Sequence, residues 1–97
     1  MNQQEIFDYL KERAQRSKKI QKLILFGSRA RGDSHERSDF DVAVEAPQIL
    51  DEEWAAWVLE VKENSPTLCG MDLILMKEKM SQDLLVEIQR EGVVIYE

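Results

Sequence analysis

The stretch Leu23-Ile24-Leu25-Phe26-Gly27-Ser28, followed after the ten residues Arg29 to Ser38 by Asp39-Phe40-Asp41, decides how the chain is read. Four apolar residues closed by a glycine read as a short strand buried on both faces. Ser28 to Gly32 suits a single helical turn, and Asp33 to Arg37 a polar loop. From Asp39 to Glu45 polar and apolar residues alternate. Asp39, Asp41 and Ala43 point one way and Phe40, Val42 and Val44 the other, which is the period of a strand. Asp39 and Asp41 therefore project from one face, with Cα atoms about 6.5–7 Å apart. Two carboxylates that close raise each other's pKa. A divalent cation removes the conflict, and hard oxygen ligands of this kind suit Mg²⁺. Asp-x-Asp alone is also the ordinary pattern of a solvated strand face, and Gly-Ser alone an ordinary turn glycine with an N-cap serine. Their combination is more informative. Gly27 lets backbone approach a ligand with no Cβ in the way. Ser28 brings a hydroxyl and an N–H to a helix N-terminus, where phosphate is favoured. Strand, turn, loop and second strand thus place phosphate donors and metal ligands around one cleft.

Outward from this centre the chain alternates helix and strand without repeats or linkers. Ile6, Leu10 and Ala14 recur at intervals of four, which predicts a helix from Gln3 to Lys18 with Lys18 and Lys19 near its C-terminus. Trp54, Trp57, Val58 and Val61 form a helical stripe within Asp51 to Asn64, and Asp51, Glu52 and Glu53 suit its first turn. Met71 to Met76 reads as a third strand, with Asp72, Ile74 and Met76 on one face. Ser81 is the expected N-cap of a helix through Arg90, Gly92 its expected C′ residue, and Val93 to Tyr96 a final short strand. The order predicts an α/β fold in which a small mixed β-sheet is packed with helices, one domain spanning 1–97.

Composition bounds the function. The 97 residues are 43% hydrophobic and 33% charged, which is a globular balance. Thirteen Lys plus Arg against nineteen Asp plus Glu leave a net charge of −6, which argues against direct nucleic-acid binding through a basic face. Cys69 is the only cysteine, so neither an internal disulfide nor a Cys-rich zinc site is available. No apolar run approaches a membrane span. Met1-Asn2-Gln3-Gln4-Glu5 lacks the basic and apolar regions of a signal peptide, so a reduced, cytoplasmic setting is expected.

Phe26-Gly27-Ser28-Arg29-Ala30-Arg31-Gly32 followed by Ser38-Asp39-Phe40-Asp41 resembles the active-site signature of the DNA polymerase β-like nucleotidyltransferases: Gly-Ser, ten residues, Asp-x-Asp. The resemblance spans most of the chain and implies the catalytic palm of that superfamily with almost nothing added. It also implies a third carboxylate on a later strand, for which Asp72 in Gly70-Met71-Asp72-Leu73-Ile74 is the candidate. Among the minimal nucleotidyltransferases the chain most resembles the MntA-type antitoxins, which are paired with a helical HEPN ribonuclease. For that group the resemblance implies transfer of AMP from ATP to a tyrosine of the HEPN toxin.

Carried onto these residues, the resemblance makes Asp39, Asp41 and Asp72 both the catalytic residues and the ligands of two Mg²⁺ ions, and Gly27 and Ser28 the holders of the ATP phosphates. Arg31 is the candidate for a further phosphate contact. Arg29 and Arg37 either share that role or balance Asp33 and Glu36. His35 reads as a solvated loop residue, and Trp54 and Trp57 as core or partner-helix contacts. Two alternatives remain open at this point: an antitoxin that acts by contact without catalysis, and nucleotidylation of a small molecule. The latter generally needs a second helical domain, which is not expected within these 97 residues.

Overall fold

The structure, a computed structural model, describes residues 2–77 and 80–97. The elements run α1 (Gln3–Arg16), β1 (Lys22–Phe26), α2 (Ser28–Arg31), β2 (Phe40–Glu45), α3 (Asp51–Glu63), β3 (Met71–Leu75), α4 (Gln82–Glu91) and β4 (Val93–Tyr96). The strands form one sheet in the order β3-β2-β1-β4. β1 pairs antiparallel with both β2 and β4, whereas β2 and β3 are parallel and joined through α3. The sheet is therefore mixed, as expected.

Alternation along the strands divides the apolar residues between two faces. Leu23, Leu25, Phe40, Val42 and Val44 share one core with Ile6, Leu10 and Ala14 of α1 and Trp57 and Val61 of α3. The Tyr9 hydroxyl donates to the Val61 carbonyl at 2.7 Å and the Trp57 Nε1–H to the Arg13 carbonyl at 3.2 Å, which fixes α1 against α3. Trp54 stacks on Trp57 with ring centroids 5.7 Å apart, so both belong to this packing. The opposite face is thinner. There Phe26, Ala43 and Ile88 form a small buried cluster with Ile24, Ile74 and Leu84 packed around it, covered by α4. On this face Phe26 and Ala43 are buried while Ile24 is only partly so, and β1 is thus covered less completely here than on the opposite face.

Helix ends follow local chemistry with some departures from the sequence-based expectation. Asn2 caps α1 by accepting the Glu5 N–H at 2.9 Å. α1 stops at Arg16 rather than Lys18, because Ser17 turns extended and its N–H goes back to the Ala14 carbonyl. Glu53 does more than favour the α3 dipole. Its Oε1 accepts the Leu50 N–H at 2.9 Å and the Lys19 ammonium at 2.7 Å. Ser81 flanks α4 as expected, but its side chain makes no capping hydrogen bond. Gly92 ends α4 in an extended conformation, not the left-handed one of a C′ glycine. What requires glycine there is space, since a Cβ would collide with the Ile88 carbonyl oxygen and lie 2.6 Å from Ile24 Cγ2.

Candidate active site

Three strand termini meet at one end of the sheet. β1 runs out into Gly27 and Ser28, while β2 and β3 begin beside it with Asp39-Phe40-Asp41 and Gly70-Met71-Asp72. The first bond tying β2 to its parallel neighbour runs from the Phe40 N–H to the Gly70 carbonyl at 2.9 Å, so Asp39 stands immediately ahead of the strand rather than within it. Asp41 and Asp72 are register partners across the β2–β3 pair, which puts their Cα atoms about 5 Å apart. Alternation sends Asp41 and Asp72 to the thin face, alongside Ala43 and Ile74. The carboxylate faces solvent at Asp39 and Asp72, and is half-buried at Asp41.

Two glycines shape the space around these side chains. Gly27 has φ 76° and ψ −158°, a region that only glycine occupies readily, and a Cβ on it would collide with Asp41 Oδ2. Gly70 likewise lies against Asp39, less tightly, where a Cβ would stand 2.7 Å from Oδ1. Each carboxylate is thus seated against a bare Cα. Ser28 opens α2, a single turn whose own hydrogen bonds begin with the Ala30 and Arg31 amides donating to the Gly27 carbonyl. The Ser28 and Arg29 amides precede those bonds.

The electrostatics follow from crowding. Burial pushes the Asp41 carboxyl above its ordinary value, and the Asp72, Asp39 and Glu87 carboxylates add to the rise, while Arg31 opposes it. Glu87 had no signal in the sequence. It is a mid-helix glutamate that only the packing of α4 brings towards Asp41. Arg31, expected at a phosphate, is engaged by carboxylates: Asp33 at 3.1 Å, Glu91 at 3.0 Å and Glu87 at 3.9 Å. Arg29 is used differently again. Its guanidinium binds backbone carbonyls at Glu36 and Ser38 and lies over the Phe40 ring. His35 shapes the loop through its Nδ1, which accepts the Arg37 N–H at 3.2 Å, and through its own N–H, which donates to Ser38 Oγ at 3.0 Å. On the β3 side of Asp39 a groove of about 680 Å³ opens between Glu36, Arg37 and the segment Pro66 to Gly70.

Among the described residues no three His, Cys, Asp or Glu side chains converge on a single coordination point. The donor chemistry nevertheless suits a hard cation. Asp39, Asp41 and Asp72 offer only carboxylate oxygens, and the repulsion that adds to the burial-driven rise at Asp41 is the conflict a divalent ion relieves.

Residues 8–97 match the family described as Polymerase beta, Nucleotidyltransferase. No curated protein matches. Among solved structures, a toxin–antitoxin crystal structure with AMP-PNP is 30% identical, with a TM-score of 0.71 over 99% of this chain and 73% of that one. A crystal structure of the toxin–antitoxin MntA–HepT is 26% identical, with a TM-score of 0.69 over 97% of this chain and 72% of that one. A complex of a tri-AMPylated Shewanella oneidensis HEPN toxin with its MNT antitoxin is 21% identical, has a TM-score of 0.65, covers 98% of this chain and 72% of that one, and shares the fold. The family match includes Gly27, Ser28, Asp39, Asp41 and Asp72 together with all four strands, and on that ground the chain belongs to the polymerase β nucleotidyltransferases.

Proposed function

We propose that this nucleotidyltransferase moves AMP from ATP to a tyrosine hydroxyl of a HEPN-type ribonuclease toxin, releasing pyrophosphate, and so acts as an antitoxin. The observation that carries the reading is the placement of Asp39, Asp41 and Asp72 at one accessible end of the sheet beside the Gly27-Ser28 turn. The likeness to toxin–antitoxin structures, one of them with AMP-PNP, supports the choice of partner and nucleotide.

Asp39, Asp41 and Asp72 would hold Mg²⁺, which when bound neutralises phosphate charge and polarises the α-phosphoryl group. Gly27 supplies a backbone that phosphate oxygens can approach, and Ser28 a hydroxyl and an N–H to bind them. The acceptor hydroxyl oxygen bonds to the α-phosphorus as the bond from that phosphorus to pyrophosphate breaks. Its proton passes to a carboxylate, a role suited to Asp72 because that side chain is accessible. Positioning and charge complementarity supply most of the rate enhancement, as in phosphoryl transfer generally.

The test is incubation with labelled ATP, Mg²⁺ and the HEPN partner, followed by mass analysis of the partner and assay of its ribonuclease activity after separation. The expected result is a partner that carries AMP and stays inactive once freed. The double substitution Asp39→Asn with Asp41→Asn should abolish transfer while the fold persists. Full recovery of ribonuclease activity in the freed partner would mean inhibition by contact and would overturn the catalytic reading.

A further inference from the structure

Arginines beside a phosphate-binding turn are expected to face the ligand, yet Arg29 faces the protein. Its Nε and one terminal nitrogen both donate to the Ser38 carbonyl, at 3.2 and 2.9 Å. The same terminal nitrogen donates to the Glu36 carbonyl at 3.2 Å, and the other reaches Gln3 Oε1 at 3.4 Å. The guanidinium carbon lies 4.2 Å from the centroid of the Phe40 ring. Cys69 braces the same point, its thiol donating to the Glu36 carbonyl at 3.1 Å. Among the described residues no carboxylate pairs with Arg29.

Ser38 immediately precedes Asp39, and Phe40 separates Asp39 from Asp41. The guanidinium therefore grips the backbone on one side of Asp39 and the ring on the other. We infer that Arg29 is a positioning residue, which fixes the directions in which Asp39 and Asp41 leave the chain; its benefit to metal–nucleotide binding rests on the function proposed above. A planar fork that forms two bonds to one carbonyl while stacking on an aromatic ring is within reach of arginine and not of lysine. The loop from Asp33 to Arg37 has no strand partner; Cys69 holds the Glu36 carbonyl and His35 bonds within the loop, but among the described residues the side chain that ties the Ser38 carbonyl to the Phe40 ring is Arg29.

The experiment compares wild type, Arg29→Lys and Arg29→Ala by two readouts. Amide hydrogen exchange reports the clamp directly, through the Ser38 and Phe40 amides, bonded at 3.0 and 2.9 Å to the His35 and Gly70 carbonyls. Titration with Mn²⁺ and ATP reports its consequence. In Arg29→Ala the Ser38 and Phe40 amides should exchange at least about tenfold faster, with Val42 and Val44 unchanged. Affinity for Mn²⁺ with ATP should fall about 10–100-fold, the range for loss of a residue that orients metal ligands. Arg29→Lys should regain thermal stability without regaining that affinity. Exchange that is unchanged, or that accelerates equally at Val42 and Val44, would overturn the inference. So would wild-type affinity in a variant whose Ser38 and Phe40 amides are loosened. If wild type itself failed to bind Mn²⁺ with ATP, the nucleotidyl-transfer reading would fall, while exchange would still decide whether Arg29 holds the backbone around Asp39.

Discussion

Replacing Gly27 by alanine separates two costs that meet at one atom. The first is conformational: φ 76° with ψ −158° costs a non-glycine residue about 1–3 kcal/mol. The second is steric, because the new Cβ overlaps Asp41 Oδ2 and forces the carboxylate aside, an overpacking cost of about 1–3 kcal/mol. Gly32 supplies an internal control. It too has a positive φ, 86°, but a Cβ there has no heavy atom within 4 Å. Gly32→Ala should therefore cost only the left-handed penalty of about 1–2 kcal/mol. Gly27→Ala should cost about 4 kcal/mol, a large part of the 5–15 kcal/mol typical of small domains. The steric part is isolated by repeating Gly27→Ala in an Asp41→Ala background. There the nearest remaining contact is the residue 41 Cβ at 3.4 Å, an ordinary van der Waals distance. Urea denaturation of the four proteins in the cycle should give a coupling of about 1–3 kcal/mol, and thermal melting should move in parallel at about 4–8 °C per kcal/mol. A Gly27→Ala cost no larger than that of Gly32→Ala, or a coupling of zero with Asp41, would refute the claim that Gly27 is needed to seat the carboxylate.

Asp41 also makes stability depend on pH. Because its folded pKa is raised by burial and by Asp72, Asp39 and Glu87, the native state holds this proton more tightly than the unfolded chain. Its contribution to stability therefore falls as pH rises through the folded pKa. Asp41→Asn should raise the urea midpoint at pH 7, and the gain should shrink as pH falls towards 3.8, the ordinary carboxyl value. Gly70→Ala should leave the melting temperature nearly unchanged, because the exposed Asp39 carboxylate can swing away, yet should weaken Mn²⁺–ATP binding measured by calorimetry. Trp57→Ala, which opens a cavity between α1, α3 and the sheet, should cost about 3–5 kcal/mol in urea denaturation. Gly92→Ala should cost about 1–3 kcal/mol by the same assay, since the Ile88 carbonyl against which its Cβ would press is helix backbone that cannot rotate away.

Period and punctuation in the sequence were enough to determine the order of helices and strands, the face of β2 from which Asp41 projects, and the Gly27-Ser28 turn before it, although the strand begins at Phe40, one residue after Asp39. These are local properties: side-chain alternation along a strand, a four-residue stripe along a helix and a glycine at a turn follow from the backbone geometry of a few neighbouring residues. Asp72 was legible as a strand residue and as a third carboxylate by resemblance, but its pairing with Asp41 depends on the parallel register that the α3 crossover sets. The arginines show the limit most plainly. Arg29, Arg31 and Arg37 look alike in a loop-side sequence, and only the fold assigns Arg29 to the carbonyls around Asp39 and Arg31 to the acids of α4. Likewise, Glu87 has no spacing relation to Asp41 and reaches its neighbourhood only because Ile88 packs beneath α4 against Phe26 and Ala43. The long-range charge environment of the site is thus decided by packing between elements distant in sequence, for which no short-range pattern in the chain carries information.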